Sequence, residues 1–467
     1  MYFKLAFNMF AGFSIIVFML HAEEPNLASI QAEVRAIRAA YESRIADLEG
    51  QVKDLRSGTV REMKSANQAL DDVLATRSPA ERAIADAPAA ARISGARPAR
   101  VTVGGYAEFS YTERNYRIPE FNENRVVAEL SANLSERLKF YSELEFENAA
   151  VQEGVPNGGE IEVEQAYLDF TLQKSLAFRA GVMLVPMGRF NLNHEGFINN
   201  HVDRPLVDRW VLPSTWYEEG VGIHGQALDT KKLGINYELD AFNPARASQV
   251  SSETGFREIR NEGRAPESRG KSGAGRIEFE PARGAKWIAD NLELGLSGYI
   301  SGNKRPDGPP PEGTLLKKTS GALSLAALDF TYEKKDFGLR AEGALARSSA
   351  GTNLAQRAQA ARGFYAEAFY AFQPCWLKTG PIGKSFKDPR LVVSSRFDWI
   401  ELNPGRDDSR DLRRVTLGLS YRPLRQTVFK LDYQMDFSTS GLTPDTLPDS
   451  GRGHRTNAVL FGVATGF

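Results

Sequence analysis

Strict alternation of apolar and polar residues organises the chain from Val101 to its last residue. In 126–134, Val126, Ala128, Leu130, Ala132 and Leu134 fall on one face, and Val127, Glu129, Ser131 and Asn133 on the other. Next, Leu138, Phe140, Leu144 and Phe146 oppose Lys139, Tyr141, Glu143, Glu145 and Glu147. A period of two places successive side chains on opposite faces of a β-strand. The same split recurs in 166–172, 391–399 and 429–437. It predicts about sixteen strands, near 101–112, 123–135, 137–148, 162–173, 176–185, 219–229, 233–243, 272–280, 291–301, 320–333, 336–347, 362–373, 389–401, 412–422, 426–437 and 455–467.

The connections differ in length. Ser135-Glu136, Gln173–Ser175, Thr230–Lys232, Lys334-Lys335 and Pro423–Arg425 are short, whereas Asn243–Lys271, Gly302–Thr319, Ala350–Ala361 and Thr439–Arg452 are long and polar. Short turns at one end and long loops at the other, on an even number of strands, describe a closed antiparallel barrel crossing an outer membrane. A soluble β-sandwich accounts for the alternation but not for this asymmetry, nor for the charged second face of so many strands. The last strand, NAVLFGVATGF, alternates up to the final Phe467, a pattern that looks like the signal read by outer-membrane assembly machinery.

One connection departs from the rest. Residues 186–218 carry Phe190, Phe197, Leu206, Trp210, Val211, Leu212, Trp216 and Tyr217 beside Arg189, His194, Arg204, Asp208, Arg209 and Glu218. A structureless connection beyond about 15 residues is uncommon and usually functional. A loop left in water has no use for this apolar content. The expectation is a segment folded into the barrel mouth, with Trp210 and Trp216 anchoring it and the charged residues and His194 at the constriction. An ordinary packed surface loop is the alternative.

Before Val101 the pattern changes. Lys4 and the apolar Leu5–Leu20, followed by His21-Ala22 and then Glu23-Glu24, read as an export signal over 1–22, with a retained membrane anchor as the alternative. Leu27, Ile30, Val34, Ile37, Tyr41, Ile45, Leu48, Val52 and Leu55 form a heptad seam with one stutter, which predicts a coiled coil over 23–57. A single helix packed on its own domain is the alternative. Residues 58–100, rich in Ala and Pro, read as a linker.

Composition adjusts this picture little. Over 467 residues the formal net charge is −1, so no bulk electrostatic case exists for a nucleic-acid partner. Mean hydropathy is −0.37, and no internal run reaches the ~18 apolar residues of a membrane helix, which leaves a barrel untouched. Cys375 is the sole cysteine and cannot form an internal disulfide. No Cys/His cluster has zinc spacing, and no catalytic motif accompanies His194, His201 and Asp203, so neither a cofactor, a metal nor an enzymatic activity is expected.

Gly104-Gly105-Tyr106, the 126–147 hairpin, Arg204-Pro205-Leu206-Val207-Asp208-Arg209, Pro213-Ser214-Thr215-Trp216 and Gly220-Val221-Gly222 resemble the phosphate-selective porin O and P family. The resemblance covers about 101–467. It implies a trimeric sixteen-stranded porin with an inward third loop, set in outer-membrane lipid of a bacterial cell. The coiled coil would then lie in the periplasm, trimerising or reaching peptidoglycan or another periplasmic partner. Strand parity places Arg179, Arg276, Arg340 and Arg396 on the lumen wall, but acids outnumber bases on that face. A phosphate channel calls for a ladder of Arg or Lys, and none is evident. Passive diffusion of small hydrophilic solutes or ions is therefore the leading expectation. An anion-selective channel and a structural outer-membrane–cell-wall tether are the alternatives.

Overall fold

The computed structural model describes Arg35, Arg38, Glu42, Arg44 and Gly50, and then residues 100–115, 117–148, 159–251, 254–261, 270–281, 283–285, 287–302, 322–349, 360–405, 409–438 and 454–467. The chain divides into two units, Met1–Ala96 and Arg97–Phe467. In the first, the five described residues are helical and exposed. There Arg38 donates to Glu42 one turn on at 2.9 Å. The predicted export signal, the seam of the coiled coil and the linker lie outside the described residues.

The second unit is one closed antiparallel barrel. Its strands are β1 Arg100–Arg114, β2 Glu120–Asn133, β3 Leu138–Glu147, β4 Ile161–Gln173, β5 Leu176–Leu184, β6 Tyr217–Asp229, β7 Gly234–Phe242 and β8 Ser272–Glu280. They continue as β9 Asn291–Ser301, β10 Leu323–Lys334, β11 Phe337–Ser348, β12 Ala360–Phe372, β13 Arg390–Leu402, β14 Arg410–Leu424, β15 Thr427–Ser438 and β16 His454–Gly466. Each predicted strand is present, its ends displaced by at most three residues. Every strand pairs with its sequence neighbours, and β1 pairs with β16 from Tyr106↔Gly466 to Arg114↔Ala458. Phe467 completes the closure, exchanging backbone hydrogen bonds with Gly105 at 2.9 and 3.2 Å.

The outer face is apolar. Leu168, Val221, Leu239, Leu296, Leu328 and Leu345 are 45–59 % exposed, an uncompensated surface that water penalises and lipid does not. Aromatic pairs mark its two margins: Tyr332–Phe337, Tyr370–Phe372 and Tyr421–Phe429 toward the short turns, and Phe364 with Phe397 and Trp399 toward the long loops. Phe429 and Phe437 are eight residues apart on β15. That is about 26 Å along a strand, or about 20 Å of height at the usual tilt, near the thickness of an apolar membrane band.

Away from the turns parity breaks in two neighbouring places, and three further register shifts lie beside short turns, between Thr171 and Gln173, Gln226 and Leu228, and Tyr421 and Leu424. Glu108 pairs with Arg125 but Phe109 with Glu123, so Asn124 is an extra residue in β2. Glu143 pairs with Gln165 but Leu144 with Val163, so Glu164 is an extra residue in β4. Bulges of this kind re-aim side chains. The consecutive polar pair Glu164-Gln165, inside an otherwise alternating strand, is the trace of the second one in the sequence.

Because every barrel strand bonds only within Arg97–Phe467, a chain beginning at residue 97 should refold into detergent as a heat-modifiable, protease-resistant species. Gel mobility with and without boiling checks this, and loss of the band where the full chain gives it would assign the first unit a role in closure.

Candidate functional site: a segment folded through the barrel

Residues 185–216 leave β5 and cross the barrel interior before β6. The base is clamped by Asn191, whose Nδ2 donates to Val185 O at 2.8 Å while its Oδ1 accepts from Trp216 N–H at 2.7 Å. Leu206, Val207, Val211, Leu212 and Trp216 are fully buried and Trp210 nearly so. Val207–Trp210 form one helical turn, α1. Trp216 lies against Tyr299 of β9, ring centres 4.7 Å apart, and its Nε1 donates to Glu218 at 3.0 Å. Burying each such side chain is worth roughly 1.5–3 kcal/mol.

The surface that receives these groups is apolar although it faces inward. Leu323, Leu325 and Ala327 of β10, Ala344 and Ala346 of β11, Ile400 and Leu402 of β13 and Leu412 of β14 join one core with the segment. A second connection enters the same core through Ala245, Ala247, Val250, Phe256 and Ile259. The expectation of a purely polar lumen face therefore fails at the long-loop end of these strands. Two loops pack there, so the wall beneath them is apolar on both faces. The connection 243–271, read from sequence only as a long polar loop, thus supplies five residues to this core. Phe256 and Ile259, spaced three apart in a polar stretch, were the available signal.

Away from that core the segment lies on charged wall. Its backbone N–H groups donate to wall carboxylates: Arg189 and Phe190 to Glu342 at 2.9 and 3.1 Å, Gly196 to Glu108 at 2.5 Å, Val202 to Asp432 at 2.6 Å and Leu206 to Asp398 at 2.9 Å. Its carbonyls accept from wall cations: His194 O from Arg125 at 2.8 Å, Phe197 O from Arg422 at 2.6 Å, His201 O from Lys430 at 2.8 Å and Asp203 O from Arg396 at 3.0 Å. Buried backbone polar groups need such partners, and irregular backbone has none of its own.

The site residues read from sequence are found as follows. Arg189 ion-pairs with Glu293 of β9 at 2.5 Å. His194 is buried, with its Nδ1 2.8 Å from Asn191 O. Arg204 donates to Ser214 Oγ at 3.0 Å. Asp208 is fully buried and neither of its oxygens accepts a hydrogen bond. Instead its carboxyl meets Glu342, and burial together with Glu342 and Asp398 pushes it well above the usual carboxylate range. Glu218 accepts from Asn261 as well as Trp216. On the wall, Arg179 pairs with Asp169 and Glu238, Arg276 with Asp329 and Glu278, Arg340 with Glu333 and Arg396 with Asp398.

Between the segment and β1–β2 lies a polar cavity of about 390 Å³. Arg114, Arg125, Arg204, Arg209, Arg257, Arg260 and Lys430 line it, against Glu108, Glu120, Glu147, Asp203 and Asp208. Seven bases thus face five acids, one of which, Asp208, is pushed toward its neutral form by burial and Glu342. Arg257 is pushed down to about 10 by burial and by Arg209, with Arg260 and Arg204 adding to the effect and Glu258 opposing it. Burial and Arg125 likewise lower Arg204. Asp203 goes the other way: burial opposes ionisation, but Arg114, Arg414 and Arg209 outweigh it and hold the carboxyl far below its usual range. The strand-by-strand tally misses this basic surplus, because Arg257 and Arg260 come from the second inward loop and much of the wall's acid is engaged by backbone N–H groups. A second polar cavity, of about 410 Å³, is lined by Leu192 of the segment and by Thr171, Gln173, His224, Asn236 and Glu238 near the short-turn end.

The chain is similar in part to known proteins. A family model described as phosphate-selective porin O and P matches residues 103–307. An uncharacterized protein of Aquifex aeolicus (strain VF5) is 32 % identical over 210 residues, 44 % of this chain and 46 % of that protein, so the match spans less than half of the relative. Among solved structures, the trimer form of the outer-membrane protein OmpT of Vibrio cholerae is 12 % identical, covering 79 % of this chain and 99 % of that one with a TM-score of 0.49. The outer-membrane channel DcaP of Acinetobacter baumannii is 11 % identical over 79 % and 97 % of the two chains, TM-score 0.49. Salmonella typhi OmpF in complex with daunomycin is 12 % identical over 79 % and 98 %, TM-score 0.48.

Two acids of the segment should respond to pH with opposite sign. The depressed value of Asp203 gives stability that is fully present above about pH 3.9 and is lost as pH falls through its folded-state value. Asp203→Asn should therefore cost about 2 kcal/mol at neutral pH, with the difference vanishing in strong acid. The raised value of Asp208 costs stability progressively as pH climbs above about 3.9. Asp208→Asn should be near neutral at pH 4 and stabilising by about 1 kcal/mol at pH 8. Denaturant unfolding in detergent across pH 3–8 measures both, and parallel profiles would contradict the assigned protonation states.

Proposed function

We propose that the chain is an outer-membrane porin in which small hydrophilic solutes diffuse through the barrel past the 185–216 segment, and that anions pass in preference to cations. The porin reading rests on the closed sixteen-stranded barrel with its apolar outer wall and on the family match over 103–307. The anion preference is carried by one observation: Arg204, Arg209, Arg257 and Arg260 converge on the cavity from two separate loops. Burial, together with repulsion from Arg209, Arg260 and Arg204, lowers Arg257 to about 10. Holding like charges together costs energy that a passing anion offsets, and guanidinium donors replace part of its hydration shell. A low-dielectric wall around the cluster concentrates the field.

Within this proposal Arg204, Arg209 and the loop-borne Arg257 and Arg260 meet the solute, whereas Arg189, paired with Glu293, and the buried Asp208 brace the segment. No catalytic role is assigned to His194, His201 or Asp203. Homotrimeric assembly through the barrel wall belongs to the same proposal and is supported by the apolar outer face, which offers a second copy the same surface it offers lipid. The periplasmic coiled coil, and any hold it gives on peptidoglycan, would be an added anchoring role resting on the heptad seam of 27–55.

Single-channel recording in a salt gradient tests selectivity. The wild type should reverse on the anion side, and the double substitution Arg209→Glu with Arg257→Glu should carry the reversal potential toward the cation side. Deleting 196–209 should raise the conductance severalfold. A reversal potential unmoved by the double substitution would place the arginines off the solute path. Separately, the mass of the full mature chain in mild detergent should correspond to three copies, and a monomeric mass would remove the trimer from the reading.

A further inference from the structure

We propose that Glu143, Glu164 and His194 form a binding site for one divalent transition cation, which fastens the inward segment to the barrel wall. One carboxylate oxygen from each Glu and one imidazole nitrogen lie within 4.8 Å of one another, and all three residues are buried. Glu164 is the extra residue of the β4 bulge. Without that bulge, parity would turn either Glu164 or Gln165 out to the lipid. With it, both face the interior.

The side chains are arranged as ligands rather than as a hydrogen-bonded set. His194 Nδ1 lies 2.8 Å from the Asn191 carbonyl, which only an N–H can satisfy, so Nε2 of the neutral ring presents a lone pair. Nε2 lies 3.1 Å from Glu164 Oε1. Neither Glu164 oxygen accepts a hydrogen bond, nor does His194 Nε2 make one. Two acceptors at that separation repel unless a cation or a proton stands between them. Ligands at about 2.0–2.1 Å from one tetrahedral ion are themselves about 3.3 Å apart.

The nearby base is committed elsewhere. Arg125 donates through Nε and Nη2 to Glu108 and through Nη2 to His194 O, and its Nη1 lies 3.5 Å from Glu145. Glu143 is oriented from outside the cluster, accepting from Gln165 at 2.5 Å and Tyr106 at 3.3 Å. A metal-binding imidazole usually donates its other nitrogen to a carbonyl or carboxylate, as here. One imidazole with two carboxylates suits Zn²⁺ and its first-row neighbours better than Mg²⁺ or Ca²⁺. His194 also lines the arginine-rich polar cavity beside β1–β2, which gives the ion a route in. The competing arrangement is a proton shared between Glu164 and Glu145, its neighbour on β3.

The test uses the full mature chain without an affinity tag, stripped with EDTA in detergent and titrated with Co²⁺. The wild type should take up one Co²⁺ per chain, displaceable by Zn²⁺, with a visible d–d band and an unfolding temperature raised by several degrees. Glu164→Gln and His194→Gln should weaken binding at least tenfold, with Glu136→Gln in the 134–137 turn as the unchanged control. No Co²⁺ uptake by the wild type would overturn the proposal without any variant having to fold. Undiminished uptake by a heat-modifiable Glu164→Gln barrel would overturn it too. Neither result bears on anion selectivity, which the salt-gradient recording decides.

Discussion

The structure depends on how an irregular backbone is kept inside a barrel. A strand satisfies its N–H and C=O groups through its neighbours, but residues 185–216 have no neighbouring strand. The wall supplies what is missing: Glu108, Glu342, Asp398 and Asp432 accept from the segment's N–H groups, and Arg125, Arg396, Arg422 and Lys430 donate to its carbonyls. Charged partners make stronger hydrogen bonds than neutral ones, about 1.5–3 kcal/mol each. Removing one leaves both a buried backbone group and a buried charge without a partner. The segment's position is therefore determined at many points around the barrel.

That demand reshapes the electrostatics of the lumen. A wall counted residue by residue is acidic, yet the acids that touch the segment are engaged by its N–H groups. What remains toward the cavity beside β1–β2 is a set of guanidinium groups brought in by loops. Asp203 illustrates the division, held between Arg114 at 2.7 Å and Arg414 at 3.1 Å. It neutralises wall charge and contributes little to the field a solute would meet. The wall thus acts chiefly as a scaffold, and the two inward loops carry the selective chemistry of the proposed channel.

The two bulges follow from the same need. A strictly alternating strand delivers a side chain inward at every second residue. Asn124 in β2 and Glu164 in β4 are additions to that rhythm, and both stand beside the point where His194 reaches the wall. They cost ladder regularity, and in return Arg125, Glu143 and Glu164 converge where regular spacing would not bring them.

Alternation determined the sixteen strands, their ends to within three residues and, outside the bulges, the face most side chains take, because a membrane barrel requires apolar groups outward at every second position. The apolar content of 186–218 likewise marked it as packed, since water would not tolerate it. Tertiary structure decided the rest. Asp208 stands four residues after Arg204 and beside Arg209, which suggests an ion pair, but the fold turns it to Glu342 on a strand over 130 residues away. Phe256 and Ile259 looked like incidental residues of a polar loop until the curvature of the barrel brought them against Leu323 and Leu402. The cluster of Glu143, Glu164 and His194 joins two strands and a loop whose spacing in sequence follows no ligand motif. Strand formation is governed by neighbours one and two residues apart and can be read locally. The chemistry of the interior arises from side chains that meet across a closed barrel, where the decisive distances exist only after closure.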